Sequence, residues 1–243
     1  MAMTQITVIQ TADMHGRLNM QTADYLRQLK SEHDALLFDC GDALPHPNYL
    51  HMPGCRRAIE AMNAAGYDAM AMGNREFGWR SSTTAAKLAG LQFPVLSANL
   101  TARTSLPTPV KPWLLLQHGE RVAGVFGISP DMAPIGSLVD RTSDLGFTDP
   151  ICAAKQTLEC LRKQCDLTIG LLHWGTAEEQ ENRLLPALQG LNLALMGHWH
   201  VQQGELSHVG AVTVSRVAYH GRQAAILRLQ SDGRWHQELV DLP

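Results

Sequence analysis

Five short polar motifs occupy the same kind of position along this chain: each follows an apolar, strand-like run at the point where it gives way to a loop. They are Asp13-x-His15, Gly41-Asp42, Gly73-Asn74, His173 and Gly197-His198-x-His200. Open α/β sheets bind their ligands beyond the carboxyl ends of the strands. A fold that aligns these strand ends therefore gathers four His, two Asp and one Asn from nearly the whole sequence. Singly the motifs say little, because an Asp/His pair or a Gly-Asp turn is common. Even His198-Trp199-His200 has an ordinary reading as two satisfied histidines. Together they bring carboxylates from early strands and imidazoles from late strands to one sheet edge, which chance would rarely arrange.

The apolar periodicity supports that placement. Residues 6–11 read as a strand, 20–30 as a helix and 35–39 as a short buried strand, followed by a loop over 43–53 that holds His46 and His51. Ala58, Ile59 and Met62 share one face of the next helix, which Gly66 can end, and 68–72 is another strand. Repeated strand–helix–strand units imply a largely parallel sheet with right-handed crossovers. From Phe93 the pattern changes: 94–96 is a candidate strand, 106–112 a Pro-rich loop, and 114–117 with 122–128 a hairpin around His118-Gly119-Glu120-Arg121. Ile151, Ala154, Leu158, Leu161 and Cys165 form the clearest helical stripe. Residues 167–172 and 193–196 are strands that end in histidine motifs, and 209–240 holds three alternating runs, an antiparallel ending.

At 243 residues, with 45% hydrophobic and 18% charged residues, the chain suits one large domain over 1–243 with a substantial core. A net charge of −3 without a long basic run gives no support for a surface that coats nucleic acid. Cys40, Cys55, Cys152, Cys160 and Cys165 are odd in number and lack CxxC spacing, so neither a disulfide framework nor a zinc knuckle is indicated. The expectation is that most are small buried residues in a reducing compartment. The N-terminus lacks the charged start and apolar stretch of a signal peptide, and no apolar run approaches the ~20 residues of a membrane span. These features point to a cytoplasmic protein with no membrane partner.

The segments between the motifs are as telling as the motifs. Ala61-Met62-Asn63-Ala64-Ala65-Gly66-Tyr67-Asp68-Ala69-Met70 leads into Gly73-Asn74-Arg75-Glu76-Phe77, and Phe93-Pro94-Val95-Leu96-Ser97-Ala98-Asn99-Leu100 follows. With the five motifs, they resemble the calcineurin-like metallophosphoesterase superfamily, specifically the catalytic domain of its 5′-nucleotidase branch, from about residue 6 to about residue 229. The resemblance implies an α/β fold, a four-layer α/β/β/α sandwich with two mixed sheets. It implies that Asp13, His15, Asp42 and His200 hold one divalent metal ion. Asp42, Asn74, His173 and His198 would hold a second, with Asp42 bridging. Mixed oxygen and nitrogen donors suit Mn, Fe, Co or Zn, and the motifs offer no thiolate for a structural zinc site. The implied reaction is hydrolysis of a small-molecule phosphate ester, a monoester such as a nucleotide or a diester, by a metal-bridging hydroxide.

The pattern breaks at one place. The family usually reads Gly-Asn-His-Glu-Phe-Asp where this chain has Gly73-Asn74-Arg75-Glu76-Phe77-Gly78, so the His/Asp dyad beside the substrate is replaced by Arg75 and Gly78. Three accounts stand. Arg75 supplies a fixed positive charge to the phosphoryl oxygens; or His46 or His51 moves in as the acid; or the chain has lost monoesterase activity and kept diesterase activity, or kept only a regulatory metal site. The resembled nucleotidases also carry a C-terminal domain that stacks the nucleobase, and nothing in this sequence corresponds to it. Arg17 is a second candidate phosphate contact, Trp174 and Trp199 are candidate pocket walls, and Asp39 is a candidate to orient a ligand. Cys40 reads as the end of a buried strand rather than a nucleophile, and His220 has no counterpart among the motifs.

Overall fold

The computed structural model describes residues 6–53 and 55–243. The chain begins as alternating units: β1 (Thr7–Thr11), α1 (Met20–Glu32), β2 (Ala35–Asp39), α2 (Arg56–Ala65), β3 (Ala69–Ala71), α3 (Ser81–Leu88) and β4 (Val95–Leu96). The strands β1, β2, β3 and β4 pair in parallel in that order. A short β5 (Leu100–Ala102) leaves the sheet, and β6 (Val110–Lys111) returns to extend it beside β4. The hairpin β7 (Trp113–His118) and β8 (Arg121–Ile128) then starts a second sheet. After α4 (Leu138–Thr142), β9 (Leu145–Phe147) pairs with β5 as a separate ribbon, and α5 (Pro150–Leu161) leads into β10 (Leu167–Leu172), parallel to β8. A helical segment over 177–187 precedes β11 (Leu193–Met196). The last four strands are two hairpins: β12 (Glu205–Val209) and β13 (Val212–Arg216) complete the second sheet, while β14 (Gln223–Leu229) and β15 (Trp235–Asp241) close the first beside β1.

Strand alternation assigns each side chain to one of three cores. In the first sheet Ile9, Leu37, Met70 and Val95 pack against Leu26, Ile59 and Met62 of the helices. Their neighbours Val8, Phe38, Ala71 and Leu96 face the other way and meet Val125, Ile169, Leu171 and Leu195 of the second sheet. The opposite face of the second sheet, with Phe126, Leu172 and Met196, packs on Leu158 and Leu161 of α5 and on Leu184 and Leu188. Three cores between four successive layers make the α/β/β/α sandwich. Burial on both faces explains why β2, β10 and β11 read as continuous apolar runs. No helix among the described residues is long and apolar enough to cross a membrane.

The differences from the sequence reading have local causes. The Pro-rich loop contains β6, whose two residues are too short to show a period. The three runs over 209–240 are β13, β14 and β15, but β12 precedes them and β13 runs parallel to β11, so the ending is divided between the sheets. Cys165 lies beyond the end of α5. Only Cys40 and Cys55 are buried, because Cys152 and Cys160 occupy the solvent face of α5. The helix α3 escaped notice because Ser81-Ser82-Thr83-Thr84 lacks an apolar stripe.

The sheets approach closely where β8 crosses β4. The Gly127 carbonyl accepts the Ala98 N–H at 2.8 Å, and a Cβ on Gly127 would lie 2.7 Å from Leu96 Cβ and closer still to the Leu96 carbonyl oxygen. Gly127→Ala is therefore expected to cost about 1–3 kcal/mol, read as a lower urea midpoint with an unchanged slope.

Candidate metal centre

All seven sequence-derived donors sit on loops that leave the carboxyl ends of β1, β2, β3, β10 and β11. The first two loops are stitched together by backbone bonds: Asp13 N–H donates to Gly41 O at 3.0 Å, His15 N–H to Asp42 O at 2.8 Å and Gly16 N–H to Ala43 O at 2.7 Å. From the other sheet, His198 N–H donates to Asp13 Oδ2 at 3.1 Å. Asp13, His15, Asp42 and His198 all have positive φ, 51°, 49°, 55° and 73°. Non-glycine residues rarely adopt that region, and strain of this kind concentrates at functional sites.

The donor atoms converge in two overlapping groups, Asp13/His15/His200 and Asp13/Asp42/His173, each with its atoms within 4.8 Å of one another. Asp42 spans them: its Oδ2 lies 3.5 Å from His15 Nε2 and its Oδ1 lies 3.6 Å from His173 Nε2. Asp13 Oδ1 is 3.3 Å from His200 Nε2 and 3.9 Å from His15 Nε2. Asn74 gives its amide N–H to Met132 Sδ at 3.0 Å, which leaves its oxygen as the donor atom for the site. His173 Nδ1 lies 2.6 Å from Cys40 O, so that nitrogen carries the proton and Nε2 presents its lone pair. Asp13 Oδ1, His15 Nε2 and His173 Nε2 are buried without a hydrogen-bond partner. Buried polar atoms are normally paired, and orphaned lone pairs that face one another are the donor set a divalent cation requires. The residues fit a metal.

The charges point the same way. Burial opposes ionisation of Asp42, but His173, His15 and the Arg75 N–H outweigh it and hold the carboxyl well below the usual range. His198 is lowered to about 4, by burial first and then by His173, and is therefore neutral at physiological pH. His200 is raised by its bond to Asp13, with Arg75 acting in the opposite direction.

Three buried side chains missed by the sequence reading hold these loops. Glu76 accepts the N–H groups of Asp42 at 3.0 Å, Gly73 at 2.9 Å and Leu44 at 3.0 Å. Gln180 donates to the carbonyls of Trp174, Gly175 and Gly197 at 3.0, 3.3 and 3.3 Å, tying the His173 loop to the His198 loop. Lys87 donates to the carbonyls of Pro47, Arg75 and Phe77 at 2.8, 2.8 and 2.6 Å. A buried lysine and a π-helical turn, here at Gln180–Leu184, leave no distinctive trace in sequence.

No protein-family model matches the chain. It is 26% identical over 220 residues to the 5′-nucleotidase of Rattus norvegicus, covering 80% of this chain and 38% of that one. Protein UshA of Yersinia enterocolitica is 35% identical over 120 residues, 48% of this chain and 22% of that one. The chain is thus similar to the 5′-nucleotidases over part of their length. Its fold is that of a 5′-nucleotidase precursor from Thermus thermophilus, with a TM-score of 0.77 and 20% identity over 98% of this chain and 55% of that one. The calcineurin-like phosphoesterase YfkN from Bacillus subtilis gives a TM-score of 0.73 and 18% identity, covering 98% and 90% of the two chains. The chain spans less than half the length of the curated relatives it matches.

The remaining candidates separate clearly. Arg75 N–H donates to Asp42 Oδ1 at 2.8 Å, while its guanidinium Nη1 reaches His46 O at 3.3 Å. The guanidinium is thus tethered to the His46 loop, within electrostatic reach of His200. His46 is not the exposed loop residue that its position in sequence suggests. It is 1% exposed, its Nδ1 accepts the Met52 N–H, and with His51 and Lys87 it lines a cavity of about 520 Å³ that contains none of the seven donors. Its pKa is lowered to about 4 by burial, then by Lys87 and His51, so it is a poor replacement acid. Arg17 is exposed near His220, Trp199 is half-exposed, and Trp174 packs on the core between the second sheet and α5. Cys40 is fully buried, and burial then Asp39 push its thiol well up, as a strand-end residue requires. Asp39 holds Gly41 N–H at 2.9 Å and Thr11 Oγ1 at 2.7 Å, positioning the Asp42 loop rather than an imidazole. Gly78 has no room for a side chain, since a Cβ there would lie 2.5 Å from Thr84 N and 2.7 Å from Thr83 Cβ.

Two outcomes follow. Gly78→Asp should cost about 1–3 kcal/mol by forcing α3 away, seen as a lower melting temperature, and Arg75→His/Gly78→Asp should not bring turnover above that of Arg75→His. His46 has a folded pKa of about 4 against an ordinary 6.5, so the unfolded chain binds more protons between those values. Stability therefore falls as pH drops through that window, and His198 contributes with the same sign. His46→Gln should reduce the proton uptake on unfolding there by up to about one proton, measured from the pH dependence of urea denaturation.

Proposed function

We propose that the chain is a metal-dependent phosphoesterase with a dinuclear centre. Asp13, His15, Asp42 and His200 hold one divalent cation; Asp42, Asn74, His173 and His198 hold the other. The observation that carries this reading is Asp42, which turns one carboxylate oxygen toward His15 and the other toward His173, where both imidazole Nε2 atoms lack partners. Bound Mn, Fe, Co or Zn would supply Lewis acidity and an acidified water for attack on phosphorus.

The protein's own groups do the rest. Asp42 and Asp13 set the negative charge that attracts the cations, and His173 presents its Nε2 lone pair because its Nδ1 donates to the Cys40 carbonyl. Arg75, tethered through His46 O, places a fixed positive charge beside the donors, where it neutralises phosphoryl oxygens. A guanidinium holds charge without passing a proton, so the favoured substrates are esters whose leaving group departs without an acid. A small-molecule phosphate ester is the substrate class, and the 5′-nucleotidase relatives support a nucleotide among its members. Arg17 is a candidate contact for a more distant anionic group.

Turnover of p-nitrophenyl phosphate and bis(p-nitrophenyl) phosphate by Mn²⁺-loaded protein tests the proposal, with Asp42→Asn alongside. The variant should lose bound metal and on the order of 10²–10³-fold in rate. Equal metal content and equal rate in the two proteins would overturn it. Metal uptake without turnover in the unaltered chain would favour a regulatory metal domain.

A further inference from the structure

One titratable side chain beside the donors is not used by the scheme above. His220 follows β13 on a turn and has a φ of 62°; its backbone N–H donates to Asp13 O at 2.9 Å. Its Nε2 lies 3.0 Å from His15 Nδ1, and the two rings meet at 62° with centroids 4.8 Å apart. The preceding residue, Tyr219, stacks on His200 at 4.8 Å with the rings 3° from parallel. Arg222 covers the Tyr219 ring at 4.9 Å. One turn therefore backs both imidazoles of the Asp13/His15/His200 group and none of the other group.

We propose that His220 is a positioning residue for metal capture at the Asp13/His15/His200 group, fixing the tautomer and ring orientation of His15. For His15 to offer Nε2 to a cation, its proton must sit on Nδ1, and the His220 Nε2 lone pair lies 3.0 Å away to accept it. His173 reaches the same state differently, by donating Nδ1–H to the Cys40 carbonyl. A carbonyl can only accept, so the His173 tautomer is fixed outright. An imidazole can accept or donate, so His220 must itself be held, and the Asp13 O bond and the left-handed backbone hold it. Groups that orient metal-ligating histidines commonly contribute 10–100-fold to metal affinity.

The inference rests on the dinuclear reading, and a two-step Mn²⁺ titration by calorimetry of metal-free protein separates the two. Wild-type chain that takes up no metal sinks both. With two binding steps in the wild type, His220→Phe should weaken one step by about 10–100-fold and leave the other in place. His220→Gln, whose side-chain oxygen can accept at the Nε2 position, should recover most of the loss. Two unchanged steps in His220→Phe, or no recovery in His220→Gln, would overturn the inference while leaving the metal centre intact. Nitrogen-15 NMR of histidine-labelled, metal-free wild-type protein gives a test that needs no substitution: His15 should carry its proton on Nδ1, and a proton on Nε2 would overturn the proposal.

Discussion

Four carboxylates lie buried at the ends of β1 and β2 and just beyond β3: Asp13, Asp39, Asp42 and Glu76. Their mutual repulsion is the constraint on which the rest of the site depends. Asp39 and Glu76 are both raised by burial, with Glu76 and Asp13 adding to the first and Asp42 to the second. Such a cluster is tolerated only when each oxygen has a partner of opposite sign or a donor. Backbone N–H groups serve Glu76, Thr11 and Gly41 serve Asp39, and Lys87 places a cation nearby. What these partners do not cover is the face that Asp13 and Asp42 turn toward the histidines, where lone pairs meet lone pairs. Divalent cations would resolve that imbalance in one step.

Loops that carry ligands cannot fix their own geometry, since ligand positions must hold to within about half an ångström. The chain solves this once per sheet. In the first sheet Glu76 draws together the loops after β2 and β3 by accepting their N–H groups. In the second Gln180 draws together the loops after β10 and β11 by donating to their carbonyls. Gln180 is itself held by Arg216, which reaches its Oε1 at 3.3 Å and pairs with Glu181 and Glu205. An anion gathers donors and an amide gathers acceptors, so each clamp matches the backbone groups its loops leave unpaired.

Much of this was legible in the sequence because period and position carry it. β2, β10 and β11 fall at the residues their apolar runs mark, and all seven motif donors follow strand ends, four in the first sheet and three in the second rather than at one sheet edge. The rest depends on contacts between distant segments. Glu76 stands in plain view inside the Gly73–Phe77 segment, but its role appears only once β2 and β3 are adjacent. His46 sits on a loop and should be exposed on that ground, yet α2 and α3 enclose it. His220 lies 205 residues from His15, and the topology that inserts β14 beside β1 brings them together.

The replaced dyad is best understood through α3. Gly78 is where the chain turns back toward this helix, donating its N–H to Thr84 Oγ1 at 2.9 Å, and the helix backbone fills the space a Cβ would need. Lys87, one helical turn further on, grips the carbonyls of Arg75 and Phe77 from the same side. A side chain at position 78 and the close docking of α3 are therefore incompatible. With no carboxylate at 78 to orient and polarise it, a histidine at 75 would lack its partner, whereas an arginine needs none to stay charged. Arg75 also has an anchor of its own in the His46 carbonyl, on the loop that Lys87 fixes through Pro47. The site thus exchanges a group that moves a proton for one that only holds charge, and the packing around Gly78 makes that exchange hard to reverse.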